Sequence, residues 1–157
     1  MAVSGSVSLL LHKAVSRNAA EAKQLGIGKG VRTELIRAGI NFNPILPLKF
    51  DPAAKKASFK IPANAKVVLA LANFKPLKNP IHFVLAAYKV LSQMKNVYFI
   101  FTGEGPLKQT AENLAKNLGI EKQVLFPGWR SDALELLAIS DVYASVSLRE
   151  GLPMSLL

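Results

Sequence analysis

From Lys66 onward, short apolar runs alternate with stretches of amphipathic helical spacing, and this alternation limits the chain to very few folds. Strands are predicted at 67–71, 97–101, 124–126 and 142–146, and helices at 80–94, 107–118 and 132–139. The first two strands are apolar on both faces, as strands must be when helices cover both sides of a parallel sheet. The pattern therefore predicts an α/β fold with a Rossmann-like parallel sheet flanked by helices.

The predicted helices have recognisable start and stop signals. Asn79–Pro80 is a suitable N-cap and first residue for the first helix. Gly119 is expected to end the second helix, and Ser131 to cap the third. The buried stripe of the first helix is predicted to consist of Val84, Ala87, Leu91 and Met94.

The first 65 residues lack this regularity. A helix is predicted over 11–25 and a short strand over 33–36, while the prolines and lysines of 51–62 are typical of irregular connection. The chain is accordingly divided into a first segment over 1–45, a linker over 46–65 and a Rossmann-like domain over 66–157.

Composition excludes several classes of site. The 157 residues contain no cysteine, so disulfides and thiolate metal sites are impossible. His12 and His82 both lie far from any cluster of carboxylates, which favours structural roles over metal ligation. The longest early apolar run, Leu9–Leu11, is too short to span a bilayer, so a soluble, cytoplasmic protein is expected.

The net charge of +10 is unevenly distributed. Residues 1–66 contain 11 lysines and arginines against 3 acids, whereas 67–157 contain 9 against 7. A basic balance favours phosphates, nucleic acid or anionic lipid surfaces as partners without choosing among them, and a solvated basic face explains it equally well.

The loop after the first predicted strand is a candidate phosphate site. Ligands of open parallel sheets bind beyond the carboxyl ends of the strands. Here Lys75 and Lys78 lie beside the start of the predicted helix at Pro80, and two ammonium groups beside a helix N-terminus suit a phosphate. Two exposed, solvated lysines are the alternative.

Two further loops carry candidate groups. Gly103 and Gly105 permit a tight turn with close approach to a ligand, or simply a strand-to-helix turn. Glu150 follows the last predicted strand next to Gly151, and its carboxylate could accept hydrogen bonds from sugar hydroxyls. An ion pair with Arg149 is the alternative for Glu150.

Four motifs, taken in order, resemble the donor-binding domain of retaining family 4 glycosyltransferases, the glycosyl transferases group 1 with the GT-B fold. The resemblance covers 66–157, and the segment before residue 46 weakly resembles the end of the family's acceptor domain and its interdomain passage. The motifs are Asn73–Lys78, Phe101–Pro106, Phe126–Trp129 and Ser147–Pro153.

The resemblance implies two Rossmann-like domains facing a cleft, with a nucleotide-diphosphate sugar held mainly by the C-terminal one. Lys75 and Lys78 would neutralise the donor diphosphate, and Asn73 stands where many members carry arginine. No cofactor and no metal are expected, because these fixed cations would stabilise the leaving diphosphate.

The resemblance also assigns roles in the other loops. Glu150 would be the first carboxylate of the family's Glu-x7-Glu element and contact the donor sugar. The backbone of Gly103 and Gly105 would approach the donor, and Gly151 and Leu152 would offer backbone N–H groups. The loop of Gly128, Trp129 and Arg130 would lie near the base, with backbone contacts mattering more than the indole. Simple packing is the alternative for Trp129. The second carboxylate would fall at position 158, so the chain is expected to be a fragment without turnover of its own.

The resulting hypothesis is sugar transfer to a hydroxyl acceptor, which a glycan, a lipid-linked sugar or a small molecule could supply. A sugar-nucleotide epimerase of the same fold is a second possibility. A non-catalytic basic module binding nucleic acid or anionic lipid is a third. Basic residues could also bring a complete enzyme to the cytoplasmic face of a membrane.

Overall fold

The computed structural model describes residues 49–150, which fold into a parallel sheet with helices on both faces. The sequence predictions for 11–25, 33–36 and His12 lie outside these residues. The elements are α1 (Pro52–Ser58), β1 (Lys66–Leu71), a 3₁₀ turn (Pro76–Lys78), α2 (Pro80–Gln93), β2 (Val97–Thr102), α3 (Lys108–Asn117), β3 (Val124–Gly128), α4 (Ala133–Ile139) and β4 (Val142–Tyr143).

The strand order is β3-β2-β1-β4, and every neighbouring pair is parallel. The β1–β2 register runs from Lys66 opposite Val97 to Leu71 opposite Thr102. The chain therefore moves from β1 through β2 to β3 on one side, then returns to place β4 on the other side of β1. This reversal puts a topological switch point between β1 and β4, and it confirms the predicted Rossmann-like parallel sheet.

The last strand is shorter than predicted. The sequence favours 142–146, whereas regular pairing with β1 covers only Val142 and Tyr143. The Ala144 N–H still donates to the Leu69 carbonyl at 2.8 Å, after which the chain turns away. The loop before Glu150 therefore begins earlier than the apolar run indicates.

The sheet separates two apolar cores, one on each face. Side chains of successive β1 residues alternate between them, because strand side chains point to opposite faces in turn. Ala70 packs with α2 and α3, whereas Val67 and Leu69 pack with α4. Burial of both faces is what the continuous apolar runs predict.

Helix α2 begins where predicted and ends slightly early. Asn79 is the N-cap in a left-handed conformation, and its side-chain oxygen lies 2.6 Å from Nδ1 of His82 without capping the backbone. The structural role predicted for His82 stays a prediction, and the contact with Asn79 is an exposed hydrogen bond at the start of the helix. Met94 is 55% exposed because the helix has ended at Gln93, and Phe83 occupies the core instead.

The prediction of irregular connection is wrong for residues 52–58. Asp51 caps α1 there through its side chain, which accepts a hydrogen bond from Ala53 N–H at 2.8 Å, and Pro52 opens the helix. Helix α1 packs against α4 within one compact unit that includes residues 49–149. The division of the whole chain into domains stays a prediction.

The N-terminus of α4 also differs from the expectation. The N-cap is Asp132 and not Ser131, and the Asp132 side chain makes no capping bond to the helix. Its carboxylate instead binds Lys55 of α1 and Arg130, so the ion pairs compete successfully with helix capping.

Candidate functional site

The loop after β1 is anchored by a fully buried aromatic ring between exposed neighbours. Phe74 is 0% exposed, and its ring centroid lies 4.5 Å from that of Phe101 and 5.7 Å from that of Phe126. Asn73 and Lys75, on either side, are exposed. The buried ring therefore fixes the backbone that carries these two polar residues at the carboxyl edge of the sheet.

Backbone hydrogen bonds join this loop to the loop after β2. The Phe74 N–H donates to the Glu104 carbonyl at 3.0 Å, and the Leu107 N–H donates to the Phe74 carbonyl at 3.0 Å. A Cβ on Gly103 would lie 2.1 Å from the Ala72 carbonyl oxygen, and one on Gly105 would lie 2.7 Å from the Phe74 carbonyl oxygen. The close backbone approach that these glycines permit is thus an approach to the neighbouring loop.

The loop after β3 is joined to the end of β2. The Gly128 carbonyl accepts bonds from Thr102 Oγ1 at 2.5 Å and from Gly103 N–H at 2.8 Å. Glu104 pairs with Lys108 at 2.9 Å in an i,i+4 arrangement, and this hydrogen bond is the largest cause of the lowered pKa of Glu104. The backbone amide of Trp129 makes a smaller contribution that lowers the same pKa.

The loop after β4 meets the basic loop at the switch point. The Leu148 N–H donates to the Leu77 carbonyl at 2.9 Å, and both leucine side chains are more than half exposed. The structure therefore brings the loop of Lys75 and Lys78 together with the chain that leads to Glu150. This is the place at which open parallel sheets bind ligands.

The electrostatics of this edge are dominated by lysine. Between Pro52 and Gly103 the sequence contains no aspartate or glutamate. Lys75 is exposed and Lys78 is half-buried in the 3₁₀ turn, which ends directly before the N-terminus of α2. Two cationic side chains next to the positive end of a 14-residue helix form a setting for an anion.

Arg130, predicted to lie near a ligand base, is engaged in an ion-pair cluster. Its Nε and a terminal nitrogen contact the two carboxylate oxygens of Asp132 at 2.8 and 2.5 Å, and its guanidinium lies 5.4 Å from the ring centre of Phe59. Lys55 binds the same carboxylate and also Glu135 at 2.5 Å. The hydrogen bond from Arg130 is the largest of the effects that hold the pKa of Asp132 well below its usual range.

Two other predicted site residues, Trp129 and Glu150, are exposed. Trp129 projects into solvent with 73% of its surface exposed, directly after the buried Gly128. Glu150 is exposed and is the last described residue, while Gly151 and Leu152 lie outside the described part of the chain. The roles of these residues as sugar, phosphate or base contacts stay predictions.

The sequence analysis did not predict two features of this edge, the buried Thr102 and the Glu104–Lys108 ion pair. Thr102 is the buried polar residue of the described core, at 5% exposure, and it ends a strand that is otherwise apolar. The Glu104–Lys108 pair had an available signal, because charges of opposite sign four residues apart often interact across a helix start. Neither its closeness to Gly128 nor the Thr102 bond follows from spacing, because both join separate strands.

Residues 49–150 contain neither a metal-binding cluster nor a membrane-spanning helix. That part of the chain holds no group of three or more His, Asp or Glu side chains arranged to bind a metal ion. It also contains no helix with the length and apolarity needed to cross a bilayer.

Solved structures share this fold. HepE of Anabaena, determined with UDP-glucose, matches with a TM-score of 0.65 at 22% identity, over 90% of this chain and 41% of that one. TarM of S. aureus, determined with UDP among other ligands, matches with a TM-score of 0.67 at 19% identity, over 88% of this chain and 26% of that one. The C-terminal domain of LpcC from Francisella tularensis matches with a TM-score of 0.62 at 18% identity, over 75% and 64%.

Curated relatives are similar in sequence. The UDP-Gal:alpha-D-GlcNAc-diphosphoundecaprenol alpha-1,3-galactosyltransferase of Escherichia coli is 31% identical over 69% of this chain and 30% of its own length. The N-acetyl-alpha-D-glucosaminyl L-malate synthase of Bacillus anthracis is 32% identical over 69% of this chain and 28% of its own length. The chain thus spans less than a third of the length of these relatives.

The sequence model of one family matches most of the chain. Glycosyl transferases group 1 cover residues 51–157, a range that includes all four strands and every loop of the carboxyl edge described above. The protein belongs to the glycosyl transferases group 1 family.

Proposed function

We propose that this chain is the donor-binding part of a retaining, family 4 glycosyltransferase that moves a sugar from a nucleoside-diphosphate sugar to a hydroxyl acceptor. One observation carries the proposal. The Leu148–Leu77 backbone bond of 2.9 Å joins the basic loop after β1 to the loop after β4 at the switch point of the sheet. A diphosphate bound there would have lysine side chains and a helix N-terminus within reach.

The positive charge of the loop after β1 would act on the leaving group of the reaction. When the bond between the sugar and the diphosphate breaks, negative charge develops on the departing phosphate oxygen. Lys75, Lys78 and the first N–H groups of α2 would stabilise that charge without the reorganisation that solvent requires. In this proposal the lysines take the part that a divalent ion plays elsewhere, and no metal is needed.

The other contacts proposed for the donor come from the remaining loops. Glu150, two residues after Leu148, would accept hydrogen bonds from the donor sugar, and the N–H groups of Gly151 and Leu152 would face the sugar or phosphates. Gly128 and Trp129 would lie near the base. Because Arg130 is occupied by Asp132, its proposed part is to support that loop more than to touch the donor.

The comparisons suggest UDP-sugars as the first donors to test. The printed name of the E. coli relative contains UDP-Gal, and HepE was determined with UDP-glucose. The same relative's name includes a lipid-linked diphosphate sugar, which makes an acceptor of that class a natural choice. A complete enzyme using such an acceptor would work at the cytoplasmic face of a membrane.

Calorimetry with UDP tests the phosphate site directly. In the 157-residue chain, Lys75→Ala/Lys78→Ala should weaken UDP binding at least about tenfold, because hydrogen bonds to charged groups contribute about 1.5–3 kcal/mol each when well formed. Lys116→Ala/Lys122→Ala is the matched control, since it removes the same charge from two exposed positions away from the loop. Equal affinities in the two double variants would refute the proposed site.

A further inference from the structure

Gly128, which leads directly to Trp129, is held by groups at and just after the end of β2. Its carbonyl oxygen accepts bonds from Thr102 Oγ1 at 2.5 Å and from the Gly103 N–H at 2.8 Å. Oε1 of Glu104 lies against the same residue, 2.5 Å from where a Cβ of Gly128 would be. Because the peptide is planar, contacts that fix the Gly128 carbonyl also fix the orientation of the Gly128–Trp129 peptide, and with it the position of the Trp129 Cα.

The carboxylate is itself secured against Gly128. Lys108 Nζ lies 2.9 Å from Glu104 Oε1. A Cβ built on Gly128 would lie 2.5 Å from that oxygen and 3.2 Å from the ammonium nitrogen, so the ion pair fills the side on which Gly128 has no side chain. The φ of +81° at Gly128 also favours glycine, and both features are consistent with the Glu104–Lys108 pair resting directly on this turn.

We call the contacts of Thr102, Gly103 and Glu104 with Gly128 the clamp. The position of Trp129 depends on this clamp because the Trp129 side chain itself makes little packing contact. The indole is 73% exposed, so apolar burial cannot hold the residue in one place. An exposed loop without such packing is usually among the more mobile parts of a fold. Here the backbone of the loop is fixed from the end of β2, and the ring is left facing solvent.

The position of β3 suggests what the ring could contact. The switch point lies at β1, and β3 is two strands away, about 10 Å at the usual spacing of neighbouring strands. A nucleoside diphosphate bound by its phosphates at β1 can extend over that distance along the carboxyl edge. An exposed aromatic ring offers its face to a nucleobase, and such stacking strengthens binding of the base.

We propose that Thr102 and Glu104 are positioning residues that hold the Gly128–Trp129 peptide so that Trp129 meets the nucleoside of the donor. The inference rests on the proposed function, and it adds residues that would act through Trp129 without touching the donor. Lys108 secures Glu104 in this arrangement.

The clamp can be measured without any ligand, because Trp129 is the single tryptophan of the chain. Time-resolved fluorescence anisotropy of the 157-residue protein reports the motion of that one residue. Glu104→Ala and Thr102→Val should each increase the fast-motion component of the decay. Asn113→Ala is the matched control, since it removes another exposed i,i+4 partner, that of Gln109, on α3. Equal decays in all four proteins would overturn the inference.

The affinities for UDP and for inorganic pyrophosphate measure how the clamp affects binding of the nucleoside. Glu104→Ala should weaken UDP binding about three- to tenfold and leave pyrophosphate binding unchanged, because only UDP carries the nucleoside. Glu104→Gln should restore most of the UDP affinity, since its side chain fills the same space against Gly128 and its amide oxygen can still accept a bond from Lys108. A general loss of folding would weaken the binding of both ligands, and Glu104→Gln would not restore it.

The outcomes separate this inference from the proposal on which it rests. Unchanged UDP affinity in Glu104→Ala, together with a loss in Lys75→Ala/Lys78→Ala, would overturn the clamp and leave the phosphate site intact. Equal losses for UDP and pyrophosphate in Glu104→Ala would overturn the clamp as well. Failure of the wild-type chain to bind either ligand would remove the proposed function, and the inference with it.

Discussion

At Gly103 the structure shows a close approach between two loops of the protein. In sequence, the Gly103 and Gly105 pair is compatible with a ligand-binding turn or with a plain strand-to-helix turn. In the structure, the side on which Gly103 lacks a Cβ is filled by the Ala72 carbonyl oxygen, 2.1 Å from where that atom would lie. The glycine is required because two loops of the carboxyl edge touch there, and the loops in turn carry the candidate donor contacts.

Substituting Gly103 should therefore be costly. Gly103→Ala combines a backbone clash with a φ of +143°, so we expect a loss of about 2–5 kcal/mol in the free energy of unfolding, measured by urea denaturation. Gly119→Ala is the control, because a Cβ there meets nothing within 4 Å and only its φ of +68° is unfavourable. That control should lose about 1–2 kcal/mol. Similar losses in both variants would contradict the clash.

Helix α1 is joined to α4 by ion pairs. Lys55 of α1 binds both Asp132 and Glu135, and its side chain is only 13% exposed. Arg130 adds a second cation to Asp132, whose side chain is 16% exposed. A carboxylate so placed is stabilised in its ionised form, which explains the direction of its pKa shift.

The stability lost when the Asp132 carboxylate is removed should depend on pH. The pKa of Asp132 is lowered on folding, so its contribution is complete above the unfolded pKa of about 3.9 and is lost as the pH falls towards the folded pKa. At pH 7, Asp132→Asn should lower the free energy of unfolding by about 1–3 kcal/mol. Urea denaturation at pH 7 and pH 3 checks this, and the gap to wild type should narrow at pH 3.

Glu121→Gln serves as the control for that series, because Glu121 is an exposed carboxylate outside the cluster. It should leave the unfolding free energy within about 0.5 kcal/mol of wild type at both pH values. An Asp132→Asn loss that is the same at pH 7 and pH 3 would show that the ionised carboxylate is not what stabilises α4.

Across the whole molecule, stability should be concentrated where the sheet is paired on both sides. β1 and β2 are central, six residues long, and buried by helices on each face. β4 is an edge of the described sheet, and Val142 is 53% exposed. The switch point thus lies between a central strand that we expect to be stable and a short edge strand.

Hydrogen exchange should report this difference. Backbone amides of Ala70 in β1 and Ile100 in β2 should exchange at least about tenfold more slowly than that of Ala144, which also bonds to β1 but follows the short edge strand. Mass spectrometry or NMR of the native protein gives the rates, with intrinsic rates from the unfolded chain as reference. Equal protection at all three amides would mean that β4 is as firmly held as the centre.

The sequence by itself determined the class of fold, because burial on two faces demands continuous apolar strands and each crossover demands an amphipathic helix. It also located the loops of Lys75, Gly103, Gly128 and Glu150, since these follow directly from where strands end. It missed α1, whose capping by Asp51 and Pro52 was outweighed by the lysines and prolines around it. It could not show that Ser131 yields the cap position to Asp132.

Only the tertiary structure decided which loops touch. The Leu148–Leu77 bond, the Thr102 bond to Gly128 and the Lys55–Asp132 ion pair all join segments that lie far apart in sequence. Strand order sets these contacts, and strand order is a property of how the strands pair and not of any single run of residues. The structure also shows that Arg130, which the family resemblance places near the donor base, forms an ion pair with the carboxylate of Asp132 two residues away.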